Sequence, residues 1–99
     1  MQEHILLLLE QRFSNGFMGA WMSKSISVAI SAHTAKDLCT WTFPTAYQFS
    51  NSYGVTTSVD VCYSYVQTKT SANCNLRAFN SATNSSYTIK YVYAVALGY

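Results

Sequence analysis

Asp37, Asp60 and His33 are the side chains in the body of this chain whose types could do acid–base or metal chemistry. Glycoside cleavage asks for two carboxyl groups held roughly 5 to 10 Å apart across a sugar. Asp60 falls within an alternating strand pattern and Asp37 within a turn pattern, so their spacing does not present them as a pair. A Ser-His-Asp set can be written from His33, Asp37 and any of many serines, but the chain has no G-x-S-x-G elbow to expose one of them. Named catalytic roles require mutual geometry that this spacing does not supply, and no catalytic residue is assigned. His33 stands far from His4, the other histidine, and metals need several ligands close together; His33 reads as a solvated turn residue, and neither a metal site nor a cofactor is expected. The three cysteines, Cys39, Cys62 and Cys74, cannot all pair within one chain and form no C-x-x-C. They read as small apolar residues made in a reducing compartment.

Binding asks for less than catalysis does, because shaped loops with suitable side chains suffice. The stretches "FSNSYG", "QTKTSANCN" and "NSATNSS" carry Asn51, Tyr53, Lys69, Asn73 and Asn84. Aromatic faces stack on sugar rings, while amides, hydroxyls and ammonium groups hydrogen-bond to sugar hydroxyls and acidic groups. Ser and Asn are also ordinary turn residues, so Tyr53 and Lys69, large groups that a turn does not require, carry most of this expectation. Tyr53 is expected to stack and Lys69 to meet an acidic group.

Charged residues are 10% of the 99-residue chain, aromatics 15%, and the formal net charge is +2. The basic residues are scattered singly, which is no footprint for nucleic acid. The apolar run in "HILLLLEQRF" is too short for a membrane span or a signal-peptide core, and an acidic residue precedes it, so no membrane insertion or export is expected. Residues 3–12 read as a short helix with "SNG" as its stop.

From Lys24 onward the period is two. Ile26, Val28 and Ile30 alternate with small polar residues; Cys39, Trp41 and Phe43 alternate with Leu38, Thr40 and Thr42; and residues 55–65 read as one long strand with Val, Thr and Tyr on one face. "CNLRAFN" reads as a further strand between polar loops. The pattern predicts an all-β fold, an antiparallel β sandwich or compact barrel, with a short N-terminal helix.

The last stretch, "SSYTIKYVYAVALGY", resolves into a bulky face of Tyr87, Ile89, Tyr91, Tyr93, Val95, Leu97 and Tyr99 and a smaller one that includes Val92, Ala94 and Ala96. A strand apolar on both faces has to be covered on both. The small residues suit close approach of another copy about a symmetry axis, which places Val92, Ala94, Ala96 and Leu97 at an expected interface between copies.

"TFPTAYQF" at residues 42–49, the Val/Thr strand after it, the Asn/Ser/Thr loops and the terminal "YVYAVALGY" together resemble the gp53-like C-terminal domain of bacteriophage tail fibres. The resemblance covers roughly residues 18–99, with 1–17 as a helical or linker segment leading from a fibre shaft. It implies a homotrimeric β tip at the distal end of a fibre, synthesised in the bacterial cytoplasm and carried on the virion. Such a tip is expected to bind a bacterial surface glycan or outer-membrane protein during host recognition. Two alternatives stay open: a structural trimerisation cap with no ligand of its own, and an intramolecular chaperone cut off after assembly.

Overall fold

The computed structural model describes residues 17–43, 48–49 and 53–99, together with the backbone of 6–12. The described part is all β. Seven strands run β1 (Leu6–Arg12), β2 (Met18–Ile30), β3 (Thr34–Thr42), β4 (Tyr53–Val59), β5 (Tyr63–Lys69), β6 (Asn73–Asn80) and β7 (Tyr87–Gly98). They form two antiparallel sheets, one in the order β1-β2-β7-β4 and the other in the order β3-β6-β5, with the core between them. Two separate sheets correspond to the sandwich of the sequence reading and not to a closed barrel.

Over Leu6–Arg12 the backbone is strand, paired antiparallel with β2 from Leu6 opposite Lys24 to Arg12 opposite Met18. The helix expected over 3–12 is therefore corrected for this stretch, while residues 1–5 lie outside the described ones. A solid block of leucines carries no period to separate helix from strand. The ladder offered by β2 satisfies its backbone groups without the nucleation cost of a short helix.

Residues 55–65 are also corrected, from one strand to two. The chain leaves the first sheet after Val59, turns through Asp60, Val61 and Cys62, and enters the second sheet at Tyr63. Cys62 has a φ of 71°, and His33, in the turn between β2 and β3, has 56°. These two left-handed residues sit at the two tight corners where the chain passes from one sheet to the other. A backbone that must turn that sharply accepts a conformation unfavourable for a side chain.

Burial follows size complementarity between the layers. Trp41, Phe43, Phe49 and Tyr53 bring large rings into the interior, with Trp41 and Phe43 centroids 4.9 Å apart and Phe43 and Phe49 5.3 Å apart. β7 contributes Val92, Ala94 and Ala96 to the same core, and β6 contributes Cys74, Leu76 and Ala78. Small residues on one layer make room for rings from elsewhere, as close packing requires. The three cysteines are free thiols, Cys74 buried and Cys39 and Cys62 half-buried.

Candidate functional site

Two carboxylate- and amide-based supports shape the end of the sandwich where the corners lie. The carboxylate of Asp60 accepts from the backbone N–H groups of Lys90 at 3.1 Å and Tyr91 at 3.3 Å. Asp60, just past the end of β4 where Val59 pairs with Val92, therefore continues the support of β7 beyond the last β4 pair, while on the other side of β7 the β2 register shifts between Ser25 and Val28 with the extra residue on β2. Asn80, the one buried polar residue among those described, donates its amide to the carbonyls of Ile30 at 3.0 Å and Ser85 at 2.8 Å and accepts from Ala82 N–H at 2.9 Å. It ties β2 to the loop between β6 and β7. His33 is exposed in its turn, its ring 5.4 Å from that of Phe79.

The residues expected to bind ligand divide between the two ends of the molecule. Tyr53, Lys69 and Asn73 come together at the end opposite the corners, Asn84 stands exposed in the loop after β6, and Asn51 lies outside the described residues. Tyr53 is only 7% exposed. Its ring stacks on Phe49 at 4.3 Å and 12°, and its hydroxyl reaches the carbonyls of Thr70 at 2.8 Å and Asn73 at 3.0 Å. The expectation that this ring stacks on a sugar is overturned by its burial; it anchors the β5–β6 turn to the core. Lys69 donates to the Tyr53 carbonyl at 2.6 Å with its ammonium 5.1 Å from that ring's centroid. The Asn73 side chain is occupied by the Thr70 hydroxyl at 3.3 Å.

The expected interface on β7 is turned inside out. Val92, Ala94 and Ala96 are covered by the chain's own second sheet, Ala94 to 3% exposure, so they are not available to another copy. Leu97 is 47% exposed and belongs to the opposite face. That face carries Tyr91, Tyr93, Val95 and Leu97 on β7 and Tyr99 just past its end, with Trp21 opposite Val95 on β2 and Gly19 opposite Leu97. Either face of an apolar strand can meet the core; the alternation fixed the pairing of side chains into faces but not which face turned inward. The deciding signal was the bulk of the rings at residues 41–53, which leaves space for small partners only.

The outer face of the second sheet is different in kind. Asp37, Gln67, Asn75 and Arg77 form a cross-strand network: Asn75 donates to Asp37 at 3.1 Å and to Gln67 at 3.3 Å, Arg77 donates to Gln67 at 3.1 Å, and Arg77 and Asp37 pair at 3.4 Å. That face meets water with a charged and amide network beside the exposed rings of Tyr63 and Tyr65, the Arg77 Nε having no hydrogen-bond partner, whereas the face around Tyr93 offers water mainly rings and aliphatic groups. No group of three or more acidic, histidine or cysteine side chains among the described residues could hold a metal ion. No helix among them is long and apolar enough to cross a membrane. No protein-family model, curated protein or solved structure matches this chain.

Proposed function

We propose that this chain is the receptor-binding tip domain of a bacteriophage tail fibre, assembled as a homotrimer and carried on the virion. The reading rests on the resemblance of residues 42–49 and 91–99, and one observation of the fold supports it most. The two outer faces of the sandwich differ in charge: one sets the Asp37, Gln67, Asn75 and Arg77 network beside Tyr63 and Tyr65, the other is an uncharged row of Trp21, Tyr91, Tyr93, Leu97 and Tyr99. A sheet face of that composition suits contact with further copies of the same chain, because rings placed there gain little in water. In this reading the copies meet through the face around Tyr93, and the ends of each sandwich stay free to meet a glycan or protein on the bacterial surface.

Two measurements test it. Light scattering of the purified chain at micromolar concentration is expected to give the mass of a trimer, and a monomer mass would end the assembly part. Adsorption of the labelled chain to a panel of bacterial strains is expected to be strain-specific and saturable. A trimer that adsorbs to none of them would support the structural cap instead.

A further inference from the structure

At the corner end of the sandwich Asp60, Val61, Cys62 and Tyr63 face Asn80, Ser81, Ala82 and Tyr87 across an open groove of about 540 Å³. We propose that this groove is a binding site for one neutral pyranose ring of a surface glycan, with Tyr63 and Tyr87 as its walls. The proposal rests on the receptor-binding reading above and names the ligand class and place within it. None of Tyr53, Lys69, Asn73 or Asn84 lines this groove.

Three observations carry it. The first is exposure: Tyr63 is 66% and Tyr87 45% exposed, so their rings are open to a partner in a way that the Tyr53 ring is not. A pyranose ring presents a patch of C–H groups on one face, which packs on an aromatic surface, and hydroxyls around its rim. The second is rigidity. The floor at Asn80 is held by hydrogen bonds to Ile30, Ser85 and Ala82, and one wall is fixed by the Asp60 carboxylate on the Lys90 and Tyr91 N–H groups. The left-handed backbone of Cys62, φ 71°, lies between Asp60 and Tyr63 and turns both toward this end. A site built this way loses little ordering entropy when a ligand arrives.

The third is charge. Asp60 is an acceptor-only group with about four lone-pair positions, of which the two backbone N–H groups do not use all. Sugar hydroxyls can donate to those that remain, and the Ser81 hydroxyl can give or take a further bond. The same carboxylate repels a second one, so acidic sugars are disfavoured. The groove's size falls within the range that small-ligand sites occupy, and its mixture of rings and a few polar groups is what such sites use.

The test is a titration of the ¹⁵N-labelled full chain with methyl β-D-glucopyranoside, methyl β-D-galactopyranoside, N-acetylglucosamine, N-acetylneuraminic acid and trilysine at millimolar concentrations. The expected result is saturable shifts of the Cys62, Tyr63, Ser81 and Tyr87 amides with at least one neutral sugar, and weaker ones with the acidic sugar. Tyr63→Ala and Tyr87→Ala should each weaken that binding about three- to tenfold, the worth of one ring contact, with the fold intact because both rings are largely exposed. Silence of these amides toward every neutral sugar overturns the proposal, as does a stronger response to N-acetylneuraminic acid or to trilysine, or affinity unchanged in both variants. Adsorption to cells separates this from the wider reading. If the parent and the Tyr63→Ala/Tyr87→Ala chain adsorb equally, the groove is wrong and receptor binding stands. If neither adsorbs to any strain while the sugar shifts are seen, receptor binding is wrong and the groove stands.

Discussion

The ammonium of Lys69 donates to the carbonyl of Tyr53 and lies over the ring of the same residue, 2.6 Å from the oxygen and 5.1 Å from the centroid. The two residues that loop composition singled out for a ligand thus hold one another. Tyr53→Phe removes the hydroxyl that bridges to Thr70 and Asn73, and is expected to cost about 0.5 to 1.5 kcal/mol. In a domain of this size that lowers the melting temperature by several degrees, since each kcal/mol is worth roughly 4–8 °C. A scanning-calorimetry midpoint unchanged by Tyr53→Phe would mean that the hydroxyl anchors nothing.

Asp60 gives a second expectation. Asp60→Ala leaves the Lys90 and Tyr91 N–H groups to water, and loss of bonds to a charged acceptor is expected to cost about 1 to 3 kcal/mol. Asp60→Asn keeps a carbonyl oxygen in the same place and should recover more than half of that. Amide hydrogen exchange at Lys90 and Tyr91 reads the effect locally: both should exchange faster in Asp60→Ala, and equal rates in parent and variant would show that this part of β7 does not depend on the carboxylate.

Stability is expected to fall at alkaline pH through Cys74. Burial, and then the neighbouring Cys39, push its thiol from the ordinary 9.0 up to about 11, against a smaller downward pull from Lys69. The folded chain therefore keeps this proton where the unfolded chain has lost it. The stabilisation is fully present below pH 9 and is lost as pH rises from 9 through 11, by on the order of 2 kcal/mol. Tyr53, raised by burial to about 12, extends the same decline upward. Urea midpoints measured from pH 8 to 11 should drop in the parent and drop less in Cys74→Ala, whatever the variant's lower starting point. Parallel curves would remove Cys74 as the cause.

Strand content was readable because alternation survives wherever one face is buried: Ile26, Val28 and Ile30 lie in β2, Trp41 in β3, Leu76 and Ala78 in β6 and Ile89 in β7. The break at Asp60 was not, since a corner taken by Val61 and a left-handed Cys62 carries no glycine or proline to announce it, and the alternation on either side stays in phase. The leucine block of β1 had no period to read. Site residues were the least legible part. Tyr53 and Tyr63 are the same residue type in similar polar surroundings, and only the ring of Phe49, brought alongside by the fold, separates the buried one from the exposed one.

The two faces of β7 separate assembly from folding, and one pair of substitutions tests both. Ala94 faces the core and Tyr93, its neighbour in sequence, faces outward between Ser23 on β2 and Ser58 on β4. Ala94→Lys forces an unpaired ammonium toward Met22 and the other core residues, a change of several kcal/mol that is large beside the stability of a small domain. Its expected outcome is a chain that fails to fold, seen as loss of the β circular-dichroism signal. Tyr93→Lys removes a half-exposed ring, and its own melting as a monomer should change little. In the proposed trimer it would place like charges against each other on an uncharged face with no carboxylate opposite them in the register, so the mass is expected to fall from trimer to monomer. If Ala94→Lys folds and merely dissociates, the small face of β7 is the outer one after all. If Tyr93→Lys keeps the assembled mass, the copies meet elsewhere.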